Sequence, residues 1–152
     1  MSGSGKTTLA KMILKKSRKK IIHIDGDSIR EIYEKKLGYT IEDREINAQR
    51  ISKLTKYLSD QKIPIIVSVL SNFPKWLNWN RKNLTNYYEI YLKNDLKTLK
   101  LRKPNLYSDK SKNVIGLDIK FNEPKNPYLI IKNCNNLKKL NYFSKKISNL
   151  IK

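Results

Sequence analysis

Cysteine and histidine are nearly absent from this chain. Cys134 and His23 are the single examples among 152 residues. One cysteine excludes an internal disulfide and suits a reducing, cytoplasmic compartment. One histidine and one cysteine leave no ligand set for a zinc site. No apolar run reaches the roughly 18 residues of a membrane span. The opening residues are lysines and small residues, which do not read as the apolar core of a signal peptide. Acids are also scarce. Asp and Glu number 13 against 33 Lys and Arg, a formal net charge of +20. That imbalance invites a nucleic-acid reading. It is not adopted as the main function. The excess is nearly all lysine and accompanies heavy use of asparagine and isoleucine, as an AT-rich coding bias would produce. The lysines run along the whole chain. Their densest run, Lys15, Lys16, Arg18, Lys19 and Lys20, closes the first expected helix, where cations suit the dipole. The charge should still help attract polyanionic nucleotides, in a salt-dependent way.

What is present is concentrated at the start. Gly3-Ser4-Gly5-Lys6-Thr7-Thr8 is the back half of a phosphate-binding P-loop. Glycines let the backbone curl so that successive N–H groups face phosphate. Lys6 reaches the outer phosphates, and the Thr7 hydroxyl can ligate Mg2+. Leu9, Met12 and Ile13 continue as a helix whose N-terminus adds partial positive charge. The full pattern needs a glycine five places before Gly5, and P-loop folds set the loop after a central parallel strand. Both would fall before Met1, so the expected sheet is without its first strand in this chain.

The elements then alternate. The pattern predicts helix over 6–17, a buried strand over 21–24, and a helix from Ser28 to Lys36 that Gly38 ends. A helix capped by Thr40 runs to about Asp60, and an inner strand covers 63–69. A strand over 87–92, a helix over 95–102, a strand over 128–131 and a closing helix over 136–151 complete the order. Strands alternating with helices argue one α/β domain over 1–152, a P-loop-type parallel sheet with helices on both faces. Residues 103–127 have no clear period and are too long for an idle connection, so a lid is expected there. Trp76 and Trp79 read as one apolar face of a short helix packed on the sheet. His23 reads as a core or rim side chain.

Asp25-Gly26-Asp27-Ser28-Ile29-Arg30 follows the first expected strand. Ligands bind beyond the carboxyl ends of such strands, so both aspartates point to the P-loop side. Asp27 and Arg30, three apart at a helix start, share one face. A carboxylate beside an arginine, opposite a P-loop, suits a phosphoryl acceptor. Together with Leu37-Gly38-Tyr39-Thr40-Ile41-Glu42-Asp43-Arg44-Glu45-Ile46-Asn47, these stretches closely resemble adenylylsulfate kinase. The likeness continues through Ser68-Val69-Leu70-Ser71, Leu106-Tyr107, Gly116-Leu117-Asp118 and Glu123-Pro124-Lys125-Asn126-Pro127, spanning about 1–131.

The resemblance implies a Mg2+-dependent kinase moving the γ-phosphate of ATP to the 3′-hydroxyl of adenylylsulfate. Gly3, Ser4, Gly5, Lys6, Thr7, Thr8 and Arg102 would bind ATP. Asp27 would act at the acceptor hydroxyl and, with Thr7, on the metal. Arg30, Arg44 and Asn47 would hold the phosphosulfate end, with Asp25, Tyr39 and Lys103 completing the acceptor side. Tyr39 would stack on the adenine. Ser71 matches a serine that is phosphorylated in bacterial members. A homodimer is favoured by the same resemblance. The chain also departs from the family. Lys103-Pro104-Asn105 replaces the lysine-glycine pair before Leu106, and Val114 stands where a phenylalanine often completes the aromatic sandwich. These departures motivate a second acceptor, a cytidine diphosphoramidate of surface-glycan synthesis. The expected lack of a first strand motivates a third reading, a nucleotide-binding module without turnover.

Overall fold

β1 (Ile22–Asp25) and β2 (Ile65–Ser68) form one parallel pair, with Ile22 opposite Ile65 and Asp25 opposite Ser68. β3 (Ile90–Lys93) and β4 (Leu129–Lys132) form another, with Ile90 opposite Leu129 and Lys93 opposite Lys132. The computed structural model describes residues 1–33, 36–108, 110–132 and 136–151. Cys134 lies outside them. Among the described residues the two pairs do not hydrogen-bond to each other. A cavity of about 80 Å³ lies between them, with Val69 and Leu70 past β2 on one wall and Tyr91 and Leu92 of β3 on the other. Ser4 and Lys6 also line it.

Among the described residues, six helices accompany these strands. They are α1 (Lys6–Lys16), α2 (Gly26–Glu31), α3 (Ile41–Asp60), α4 (Pro74–Asn83), α5 (Leu96–Arg102) and α6 (Leu137–Ser148). Alternation along β2 shows helices on both faces, because successive strand side chains point opposite ways. Ile66 packs with Leu9 and Ile13 of α1, Leu140 and Ile147 of α6, and Leu92 and Ile131 of the second strand pair. Its neighbours Ile65 and Val67 pack the other way, with Ile24, Ile29 of α2 and Ile51 of α3. A third cluster, Leu99, Tyr107 and Val114, joins α5 to the segment after it and takes in Met1.

The expected order of elements holds, with differences at the edges. α2 is short, and its N-cap is Asp25, whose Oδ1 accepts the Asp27 N–H at 3.0 Å. Asp27 therefore sits in the first turn, inside the helix. The helix ends at Glu31, well before Gly38. Glu34 and Lys35, within the expected helix, lie outside the described residues. α3 begins as expected, with Thr40 Oγ1 accepting the Asp43 N–H. α4 lies against α3, and the Lys53 ammonium of α3 sits 4.5 Å from the centre of the Trp79 ring.

Candidate active site

Gly5 caps α1 with φ +93, and Gly3 has φ +74. Both values lie in the left-handed region that only glycine adopts without strain. The curl between them is held from outside. Arg102 Nη1 donates to the Gly3 carbonyl at 2.9 Å, Asn94 Nδ2 to the Ser4 carbonyl at 3.2 Å, and Tyr107 Oη to the Ser2 carbonyl at 2.9 Å. With the carbonyls engaged on the outer side, the N–H groups at the start of α1 are left to face an anion. Lys6 Nζ lies over the loop, donating to the Met1 carbonyl at 2.9 Å. Ser4 is fully buried, and its hydroxyl has no hydrogen-bond partner. Thr7 and Thr8 are exposed at the first turn of α1.

Across from this loop stands the end of β1. Thr7 Oγ1 donates to Asp25 Oδ2 at 2.9 Å, so the P-loop threonine and the β1–α2 corner touch directly. Asp25 thus joins the two sides while capping α2. Asp27 is the more exposed carboxylate of the two, with its side chain 84 % exposed and Oδ1 3.9 Å from Arg30 Nε. Burial pushes the Lys6 ammonium below its ordinary value, against the opposing pull of Asp27 and Asp25, while Lys103 pushes it further down. Lys6, Asp25, Asp27 and Lys103 therefore share one electrostatic neighbourhood. Ser71, past the end of β2, lines the same cavity as Lys6 and Ser4.

The acceptor-side residues gather around Tyr39. The Arg30 guanidinium lies 4.8 Å and that of Arg44 5.2 Å from the ring centre, a doubly cationic setting for one aromatic ring. Arg30 is buried, donates to the Gly38 carbonyl, and leaves its Nε without a hydrogen bond. Asn47 is buried too, with Nδ2 on the Gly26 carbonyl at 2.9 Å and Oδ1 unpartnered. Arg44 bridges, donating from Nε to the Tyr39 carbonyl at 2.9 Å and from Nη2 to the Asn113 carbonyl at 2.7 Å. Its charge is held down first by burial and next by Arg30.

The segment after α5 is pinned at several points, through Tyr107, through Asn113, and through Asn72. Asn72 donates to the Lys120 carbonyl at 3.0 Å and accepts the Asn122 N–H at 2.6 Å. Val114 is buried beside Leu99 and Tyr107, so the packing of this cluster sets its side chain. Asn94 and Asn72 escaped the sequence reading. Both stand just past the carboxyl end of a parallel strand, where ligand-binding groups collect, and that placement was the available signal.

Comparison with known proteins agrees with this arrangement. The family model for adenylylsulphate kinase matches residues 1–132. The cytidine diphosphoramidate kinase of Campylobacter jejuni is 37 % identical over 147 residues, covering 90 % of this chain and 84 % of that protein. A probable adenylyl-sulfate kinase of Archaeoglobus fulgidus is 33 % identical, covering 86 % and 89 %. The Mycobacterium tuberculosis APS kinase solved with AMPPNP and APS has a TM-score of 0.81 over 99 % of this chain and 92 % of that one. At 23 % identity that likeness speaks for the fold. The match over residues 1–132 and these identities together place the chain in the adenylylsulphate kinase family.

Proposed function

We propose that the protein transfers the γ-phosphate of ATP to a ribose hydroxyl of a nucleotide-activated, anionic acceptor, and that this acceptor is a cytidine diphosphoramidate. The observation that carries the kinase reading is the direct contact of Thr7 with Asp25, which sets a P-loop against the Asp27–Arg30 corner. ATP phosphates lie on the N–H groups of residues 3–8, with Lys6 on the outer ones. Arg102 borders the nucleotide, and Lys103 adds charge beside Lys6. Asp27, exposed and next to Arg30, orients the attacking hydroxyl and takes its proton. Arg30 and Arg44 grip the acceptor's anionic end, and the free Asn47 Oδ1 and Arg30 Nε offer it further hydrogen bonds. Tyr39 carries the base.

Thr7 and Asp25 present oxygen donors, with Asp27 close by, and such donors suit a hard cation. Among the described residues no cluster of three or more His, Cys, Asp or Glu could hold a metal ion. The donor set therefore fits Mg2+ held partly by nucleotide phosphates, not a metal caged by protein alone. When bound, the ion draws charge from the phosphates.

The choice of acceptor rests on the 37 % identity to the cytidine enzyme over 90 % of this chain. Adenylylsulfate is the second reading, favoured by the family match and by the 33 % identity to the archaeal relative. Purified protein with Mg-ATP and each acceptor, followed by chromatography of the products, separates the two. A higher kcat/KM on the cytidine compound is expected. A higher value on adenylylsulfate reverses the choice. Failure to bind Mg-ATP at all removes the kinase reading.

A further inference from the structure

The acids of this chain are distributed as its lysines are not. All 13 lie between Asp25 and Glu123. Residues 1–24 and 124–152 together hold 14 of the 33 cations and no acid. At the acid frequency of residues 25–123 those two segments would carry about seven. A coding bias toward lysine adds cations throughout and does not clear acids from two segments.

The fold brings the two segments together. α1 and α6 pack side by side through Leu9, Ile13, Leu140 and Ile147. Lys16 Nζ crosses between them to the Asn141 carbonyl at 2.7 Å. Outward from this pair point Lys11, Lys15, Arg18, Lys19 and Lys20 on and after α1, and Lys138, Lys145 and Lys146 on α6, all exposed. None takes part in the ion pairs found among the described residues, every one of which lies within 25–123. Tyr142, 65 % exposed, and Leu137, 62 % exposed, lie among the α6 lysines. The Lys15–Lys20 run lies about 16 Å along α1 from the P-loop, too far to serve the phosphates there.

We propose that the α1–α6 face docks on an anionic lipid surface. Several features favour lipid over nucleic acid. The charges are compact lysine ammoniums with a single arginine, suited to a diffuse field of headgroups and poor in forked contacts to bases. The face is the outer side of two helices, one of them amphipathic, and presents Tyr142 and Leu137 for shallow insertion. Among the described residues of this face, Tyr142 alone is a strongly exposed ring, in edge contact with the half-buried Phe143, which is too little for a stacking platform. Docked this way, the cleft at the opposite end of α1 stays open to its substrates.

The test is sedimentation of the full chain with vesicles of phosphatidylcholine alone or with about 30 % phosphatidylglycerol. Two fourfold variants carry the same charge change. One is Lys11→Glu, Lys15→Glu, Lys19→Glu and Lys145→Glu. The other is Lys82→Glu, Lys97→Glu, Lys100→Glu and Lys112→Glu, all exposed residues of the central segment. We expect binding to the anionic vesicles only. The partition constant should drop at least about tenfold in the first variant and less than about twofold in the second. Tyr142→Ser should weaken vesicle binding about threefold and leave any affinity for single-stranded RNA unchanged. Circular dichroism checks that every variant is folded. Equal losses in both fourfold variants, no binding to anionic vesicles at low salt, or tighter binding to RNA than to vesicles at matched salt would overturn the proposal.

Discussion

Around β1 and β2 the buried apolar cluster is Ile24, Ile29 and Ile51, whereas around β3 and β4 it is Leu9, Ile13, Leu92, Ile131, Leu140 and Ile147. Buried polar side chains run the other way. Arg30, Asn47, Ser52, Thr55, Ser68 and Asn72 belong to the first half, Asn94 and Ser144 to the second, and Ser4 to the P-loop. In the first half Arg30 Nε, Asn47 Oδ1 and Thr55 Oγ1 have no hydrogen-bond partner. An unpaired buried polar atom costs about 1–3 kcal/mol. On the proposed reading, the half expected to carry the acceptor residues gives up packing for unpaired polar side chains, and the other half supplies most of the apolar core. Arginine usage supports this division. The chain has six arginines. Arg30 and Arg44 border the acceptor side and Arg102 the P-loop, where a forked guanidinium does what a lysine cannot.

The comparison breaks most readily at Asp27. Asp27→Asn keeps shape but cannot take a proton, so kcat should fall by about 10²–10⁴. The side chain is 84 % exposed, so the thermal midpoint should stay where it is. A variant with an unaltered rate would take Asp27 out of the chemistry. The opposite profile is expected from Ile131→Ala. That side chain is fully buried in the second half, and its truncation should cost about 2–5 kcal/mol in urea unfolding. At a temperature where the variant remains folded, kcat/KM should match the parent. A loss of turnover as large as that of Asp27→Asn would show that the two halves are not separable. Smaller still is Arg44→Lys. The charge survives, but the bridge from the Tyr39 carbonyl to the Asn113 carbonyl does not. Acceptor KM should rise about tenfold with ATP KM unchanged. A change in both would mean that Arg44 holds the whole cleft together.

Sequence reasoning reached these two halves unequally. The P-loop and the Asp25–Asn47 stretch were legible because each chemistry demands particular residue types at fixed spacing. The β2 strand was legible because Ile65, Ile66 and Val67 form an apolar run that faces both layers. The link from Thr7 to Asp25 was not, since it joins residues 18 positions apart through the packing of α1 against the sheet. The pattern starts α2 at Ser28, two residues late, because Asp25 and Asp27 are equally good capping residues by type. The resemblance reads Val114 as the loss of one side of a base-stacking site. The burial of this side chain beside Leu99 and Tyr107 depends on contacts no local pattern announces. The division of the sheet into two pairs among the described residues, and the cavity left between them, are properties of the folded chain that no local pattern announces.

The finest test of the division lies in Lys6, which belongs to the P-loop yet lines the cavity between the halves. Burial lowers its pKa from the ordinary 10.5. Between the lowered folded value and 10.5 the unfolded chain binds the extra proton, so this residue's contribution makes stability rise with pH across that window. Nucleotide binding has the opposite sign. Phosphates favour the charged ammonium, so affinity for ATP should fall as pH rises through the lowered value, before an ordinary lysine would titrate. Because other lysines also lose charge toward 10.5, the informative quantity is the difference from Lys6→Gln. That variant should bind ATP more weakly at neutral pH, and its affinity should fall less steeply as the pH is raised. Calorimetric titrations in buffers of different ionisation enthalpy should show proton uptake on binding in the parent and less in the variant. Parallel pH profiles for the two proteins would place the Lys6 ammonium in water and remove it from the shared neighbourhood of Asp25, Asp27 and Lys103.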